Sequence, residues 1–361
     1  VKKYLFISAV LGIFLARAQS ADSLKTNHKV TFSAYAELFY TYDFNDPTDH
    51  LRQNFLYSYN RHNEVNLNLG LVKAFYQTEN LRANLALMAG AYAQDNMAAE
   101  QDGLRYVNEA NIGLKISKNK NLWIDAGIMP SHIGWESAIG KDNMNLTRSL
   151  AAENSPYFET GAKISYTSDN GKWFLSGLIL NGWQRIAKPE GNQSISFGHQ
   201  VTYKPNDKIT LNSSSFIGND KVKKDKRMRY FHDLYGSFQL TDQFSALLGF
   251  DIGAEQKLKG SDQYNIWYSP NLQMKYQIDG KWALAGRLEY YNDKNGVIIN
   301  TGTPNGFQTF GYSLNIDYAV LKNVVFRTEA RGFTSKDAIF VKNGDFRQGN
   351  FFLTTSLAVW F

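Results

Sequence analysis

The sequence predicts an all-β fold, a transmembrane antiparallel up-and-down β-barrel of about 16 strands (about 14–18), with the loop after the fifth strand folded inward. Three observations predict it. Apolar and polar residues alternate with period two along most of the chain, the connections sort by length according to strand parity, and the last strand keeps its apolar residues on one face, able to close against the first. Composition agrees: aromatics are 14% of the chain, Gly is frequent at 28, Pro is scarce at 7, and Cys is absent. The absence of Cys excludes disulfides, thiol catalysis and Cys-type zinc sites.

The first segment, "VKKYLFISAVLGIFLARAQS", has two lysines, an apolar run from Tyr4 to Ala16, and Ala16-Arg17-Ala18 in small-x-small form. It reads as a secretory signal over 1–18, because the run is shorter than the roughly 18–20 residues a spanning helix needs. A short periplasmic segment at 19–29 and one barrel domain over 30–361 are expected to follow. Losing Lys2, Lys3 and Arg17 lowers the formal charge from +6 to +3, so nucleic acid is not an expected partner. A mean hydropathy of −0.39 does not argue against a barrel, whose strands are apolar on the lipid face only.

Strands are predicted at 30–44, 63–76, 80–94, 107–118, 121–130, 156–168, 172–182, 194–204, 208–217, 228–240, 243–255, 264–278, 281–292, 306–319, 322–334 and 349–361. In "VNLNLGLV" Val65, Leu67, Leu69 and Leu71 are expected on the lipid face. In "WALAGRLEYY" Trp282, Leu284, Leu288 and Tyr290 point outward, with Arg287 and Glu289 inward. In "FGYSLNIDY" Phe310, Tyr312, Leu314 and Ile316 oppose Ser313, Asn315 and Asp317. Links after even-numbered strands are brief, as at Asn119-Lys120, Thr241-Asp242 and Asp279-Gly280. Those after odd-numbered strands are long and polar, as at 45–62, 95–106, 131–155 and 335–348. Short turns on one rim and long loops on the other are the habit of an outer-membrane barrel. A soluble sandwich has no reason to sort loops by parity. In the final "FFLTTSLAVWF", Phe351, Leu353, Leu357, Val359 and Phe361 share one face, and pairing of this strand with the first would leave no open edge in lipid.

If the apolar set faces lipid, the alternate set faces a lumen, and it is charged: Asp251, Arg287, Glu289, Arg327, Glu329 and Arg331 are the candidate wall groups. A barrel of this size leaves an aqueous channel in which such charges stay hydrated. They could equally pair along the wall as structural ladders. The stretch "SHIGWESAIGKDNMNLTRSLAAENSP" breaks the alternation after the fifth strand. Asp142 to Asn145 offers capping side chains, and "LTRSLAAE" suits about two helical turns with Leu146 and Leu150 on one side. The expectation is that 131–155 lies on the inner wall and presents Glu136, Lys141, Asp142, Arg148 and Glu153 to the pore as a constriction. An extracellular flap is the alternative.

The same region resembles the conserved loop of the OmpL-like β-barrel porin family. The residues that carry the resemblance are Gly127, Pro130, Gly134, Glu136, Asn143, Arg148, Ser149, Pro156 and Gly161. It implies an outer-membrane porin of a Gram-negative bacterium, delivered by the barrel assembly machinery, which recognises an aromatic-ended last strand. The expected partners are outer-membrane lipids and lipopolysaccharide, with a homotrimer by analogy to sixteen-stranded porins. Trp135, inside the motif, receives no role.

The six histidines, His28, His50, His62, His132, His199 and His232, show no metal-ligand spacing, and Ser131-His132 lacks a triad context. No cofactor and no catalytic site are expected. The basic run 219–229 reads as a loop surface for phosphates or for steering anions. Two functions remain from the residues alone: a passive diffusion channel for ions and small polar solutes, or a plugged barrel that serves as a scaffold for a partner.

Overall fold

The computed structural model describes residues 29–361; the predicted signal sequence and nearly all of the 19–29 segment lie outside the described residues. Sixteen antiparallel strands close one barrel. They are β1 (Lys29–Asp43), β2 (Val65–Gln77), β3 (Leu81–Ala89), β4 (Val107–Lys115), β5 (Asn121–Pro130), β6 (Phe158–Thr167), β7 (Trp173–Leu180), β8 (Ser196–Asn206), β9 (Ile209–Gly218), β10 (Arg229–Gln239), β11 (Phe244–Gln256), β12 (Tyr264–Gln277), β13 (Trp282–Asp293), β14 (Phe307–Leu321), β15 (Val324–Ser335) and β18 (Gly349–Trp360). A small separate hairpin, β16 (Phe340–Lys342) and β17 (Asp345–Arg347), decorates the last long loop. β18 pairs with β1 from Tyr35↔Trp360 to Asp43↔Phe352, so every edge is satisfied within the wall.

Alternation explains the wall. Leu288, Phe310, Tyr312, Leu314, Leu353 and Leu357 stand exposed on the outside, as lipid-facing residues must. Aromatic pairs bracket this band, with Trp173 on Tyr203 and Trp282 on Tyr318 near the short turns and Tyr230 against Tyr264 toward the long loops. The expected outward set on β2 needs correction. A bulge between Glu37 and Leu38 of β1 makes the pairing jump from Leu69 to Leu67 and inserts Asn68 as the extra residue. The extra residue inverts the alternation. Leu69 and Leu71 consequently point inward and are buried, while Val65 and Val72 face lipid. The third strand is also shorter than its pattern suggests. It stops at Ala89, and Ala91–Asn96 forms a short helix, α1, that turns Tyr92 and Ala93 into the interior.

The interior is not an open tube. Phe55 and Leu56 from the first long loop, with Ile133 and Leu150 from the loop after β5, pack against Phe216, Phe231, Trp267, Tyr291, Phe333 and Phe352 of the wall. Burial is lopsided. Nearly every inward side chain of β13–β15 and β18 is buried, whereas Lys73, Phe75, Arg82, Asn84, Lys115, Lys163, Gln200 and Thr202 on the opposite wall stay half-exposed.

Candidate functional site

The segment between β5 and β6 crosses the barrel interior, and three arginines of the far wall hold it there. Arg327 donates to the carbonyl oxygens of Gly140 (2.6 Å), Asn143 (3.2 Å) and Met144 (3.0 Å) while pairing with Asp317 at 2.6 Å. Arg287 donates to the Thr147 carbonyl at 2.6 Å, and Arg331 to the Arg148 carbonyl at 2.8 Å. Acceptors interleave with these donors. Glu329 accepts from Thr147 N, Glu289 from Leu150 N at 2.6 Å, and Asn315 from Leu146 N at 3.2 Å. Glu289 and Glu329 in turn pair with Arg331 and Arg287, so the charges balance on the wall as well. Charge-assisted bonds to backbone are among the stronger polar contacts a chain can make.

This docking explains why the predicted two-turn helix does not form. The backbone groups of residues 143–148 that would bond along a helix are engaged by wall side chains instead. Only Leu150–Glu153 is α-helical (α2), preceded by a single turn at Gly140–Asp142. The cap is Ser149, whose Oγ accepts from Ala152 N at 3.2 Å, rather than the Asp142–Asn145 side chains expected.

The pore-facing set also needs correction. Of Glu136, Lys141, Asp142, Arg148 and Glu153, only Lys141 and Asp142 have substantial solvent exposure. Arg148 is 2% exposed; it pairs with Glu153 at 3.3 Å and lies 3.3 Å from the ring centre of Tyr157. Burial pushes its guanidinium pKa down, but Glu153, Tyr157 and Tyr92 outweigh burial and raise it overall. The Glu136 side chain is buried, accepting from Ser149 N (2.9 Å) and from Gln273 Nε2 (2.9 Å), with Arg287 at 3.6 Å. Arg287, Glu289, Arg327, Glu329 and Arg331 are likewise buried under the loop rather than hydrated. Asp251 sits on β11 directly across from Asp233; both are buried, and neither is ion-paired with a cation among the described residues.

The motif residues form the loop's scaffold. Gly127, with a φ of 128°, faces Gly161 across the β5–β6 ladder, a left-handed backbone conformation that glycine adopts without strain. Pro130 ends β5, Gly134 (φ 91°) turns the chain, and Pro156 lies just before β6. Asn143 brackets Ser137, accepting from its N–H and donating to its carbonyl. Trp135, which sequence reasoning could not place, stacks over Gly249, which has no side chain to obstruct it, and meets Tyr235 edge-on. His132 anchors the start of the loop. Its Nδ1 meets Glu159 at 2.5 Å and its Nε2 the Ser215 carbonyl at 2.8 Å, so both ring nitrogens face acceptors. Burial lowers the imidazole pKa, yet Glu159 overcomes this and raises it above 6.5.

Sequence reasoning missed the other inward loop. Tyr57 N donates to Glu153 at 2.8 Å, and Asn154 donates to the Phe55 carbonyl at 3.2 Å, so residues 45–62 rest on the docked loop. Cavities remain beside these elements. One of about 350 Å³ at the long-loop side is lined by Tyr57, Ser155, Arg185 and Arg229. A second, of about 340 Å³, is lined by Glu109, Pro130, Trp135, Ser155, Tyr157 and Tyr235. A third, of about 320 Å³ toward the short turns, is lined by Arg82, Glu109, Asp125, Pro130 and Lys163. Ser155 is common to the first two, and Glu109 and Pro130 to the last two.

Known proteins share this architecture. The family model described as "Putative beta-barrel porin-2, OmpL-like" matches residues 29–361. Comparison with curated proteins gave no match. Among solved structures, OmpT of Vibrio cholerae in its trimer form is similar, with a TM-score of 0.60 at 9% identity over 92% of this chain and 99% of that one. An anion-selective porin from Comamonas acidovorans gives 0.60 at 11% identity, over 93% and 100% of the two chains. The outer membrane channel DcaP of Acinetobacter baumannii gives 0.56 at 10%, over 95% and 100%. At such identities the likeness concerns the fold. With the family model spanning the whole described chain, the protein belongs to the OmpL-like β-barrel porin family and is an outer-membrane β-barrel.

Proposed function

We propose that the protein is a passive diffusion channel for ions and small polar solutes, with a path displaced toward the β2–β8 wall and narrowed by the loop 131–155. The observation that carries this reading is the series of three cavities that share Ser155, then Glu109 and Pro130, between the two rims. The half-exposed side chains along β2–β8 support it, because an aqueous path leaves its lining solvated. Constriction in this reading comes from the bulk of the docked loop and from Lys141 and Asp142, not from the buried Arg148–Glu153 pair. This reading assigns the protein no chemical step; both ring nitrogens of His132 are engaged, by Glu159 and by the Ser215 carbonyl. By extension from the trimeric neighbour, assembly as a homotrimer within outer-membrane lipid and lipopolysaccharide is part of the proposal.

The apolar cluster within the barrel favours a second reading, a plugged barrel that acts as a scaffold for a surface or periplasmic partner. Planar-bilayer recordings of the purified protein separate the two. Discrete conductance steps are expected for the channel, and their absence from a folded barrel supports the scaffold. Deleting residues 137–152 should raise single-channel conductance; an unchanged value contradicts the narrowing role.

A further inference from the structure

The wall beside the third cavity carries cations that its carboxylates do not neutralise. Inward-facing Lys73, Arg82, Lys115 and Lys163 on β2–β6 stand against Glu109 and Asp125 on the same strands below the loop. Two cations are consumed in pairs. Lys73 reaches Glu109 at 2.8 Å, and Arg82 holds Asp125 at both oxygens, Nε to Oδ1 at 2.7 Å and Nη2 to Oδ2 at 2.6 Å. The Arg82–Asp125 bridge spans β4 above Gly113, where an added Cβ would lie 2.9 Å from the arginine Nε. Gly113 is thus the gap that lets this bridge form. Lys163 is the direct cross-strand neighbour of Asp125, but both oxygens of that carboxylate are occupied by Arg82. No ion pair of Lys163 or Lys115 occurs among the described residues, and both are half-exposed. The Lys163 side chain lines the 320 Å³ cavity with Arg82, Asn84, Asn111 and Ser165.

We infer that Lys163, backed by Arg82 and Lys115, forms a transit site for small anions, oxyanions and carboxylates in particular, and makes the channel anion-selective. The inference rests on the diffusion-channel reading. The ammonium is a compact, strongly hydrated charge that binds weakly enough to release. The Nη1 of the adjoining guanidinium makes no hydrogen bond among the described residues, and the Ser165 hydroxyl adds a donor. Of the buried carboxyls without an ion pair among the described residues, Glu37, Glu100 and Asp293 accept hydrogen bonds away from the third cavity, and it is not lined by Asp233 or Asp251 either. The last two are buried on β10–β11, where the Gly134 backbone bonds Asp233 and Trp135 covers the neighbouring Gly249.

The test is the reversal potential across a bilayer under a salt gradient, first in potassium chloride and then in potassium acetate, for wild type, K163Q, K163E and the loop control K257Q. Wild type is expected to favour the anion in both salts. A unit charge about 7 Å from a passing ion in water-like dielectric, roughly halved by screening at about 0.1 M salt, raises the local occupancy of an anion and lowers that of a cation about 1.7-fold each. K163Q should therefore lower the anion-to-cation permeability ratio about threefold and K163E about tenfold, with K257Q unchanged. A channel that conducts but favours cations, or whose selectivity is the same in K163E, overturns the anion site and leaves the channel reading intact. A folded barrel without conductance overturns both. Should K163E fail to fold, K163Q and K115Q decide the matter by their smaller shifts.

Discussion

Two walls of this barrel both alternate outward apolar residues with inward cations, yet they do different things. On β13–β15, Arg287, Arg327 and Arg331 are buried and bonded to the backbone of the docked loop. On β2–β6, Lys73, Arg82, Lys115 and Lys163 are half-buried, and Arg82 and Lys163 line a cavity. The difference lies in what covers them. A guanidinium presents several donors in a rigid plane and can satisfy multiple carbonyls at once, as Arg327 does, whereas a lysine left uncovered remains a mobile, hydrated charge. An inward charge in a large barrel is therefore no sign of pore lining until the loops are placed.

The largest expected effect comes from breaking the covered wall. Arg327→Ala strips three loop carbonyls and Asp317 of their donor in a buried site. Loss of one partner from such a network costs about 3–5 kcal/mol. Urea unfolding of the detergent-solubilised barrel should show this destabilisation, and bilayer recordings should show larger, noisier steps as the loop loosens.

An intermediate effect concerns the loop's entry. A histidine whose pKa is raised on folding stabilises fully below its unfolded value of about 6.5, and that stabilisation disappears as pH rises through the folded value. The His132–Glu159 contact should thus favour the docked loop below about pH 6.5 and weaken as pH rises above it, through the raised folded-state pKa. His132→Gln should lower stability by about 1.5–3 kcal/mol in mild acid, as expected for a charged hydrogen bond, and flatten the pH dependence in that window. Unchanged pH dependence in this variant would assign the effect elsewhere. The smallest effect is local: Ser149→Ala removes the cap of α2 and should cost about 1 kcal/mol, with little change in conductance.

Much of the fold was legible because lipid enforces period-two alternation and the two rims impose different connection lengths. The sixteen barrel strands fall close to the predicted positions, and the inward-folded loop after the fifth strand is present. Legibility failed where one residue changes the phase. The bulge at Asn68 sends Leu69 and Leu71 inward although their spacing matches a lipid-facing strand. It failed again where the competition is tertiary. "LTRSLAAE" has good local helix signals, but Arg287, Arg331, Glu329 and Asn315 claim its backbone groups from the far wall. The ion pair between Arg148 and Glu153 was hidden for the same reason, since nothing in the sequence reveals that Tyr157 and Tyr92 close over it. Lys163 stood inside a predicted strand without any local feature to mark it; its significance depends on Arg82 having taken Asp125.

In the channel reading, water and solutes pass along β2–β8 while the loop seals the opposite wall. A chain without cysteine permits a direct measurement. Single substitutions Asn84→Cys and Gln200→Cys on the half-exposed wall, and Thr354→Cys and Ser356→Cys on the covered wall, can be treated with a charged, water-soluble thiol reagent during bilayer recording. The account predicts rapid modification with a drop in current at Asn84 and Gln200, and protection at Thr354 and Ser356. Equal reactivity on both walls, or current block from Thr354 and Ser356 alone, would contradict it.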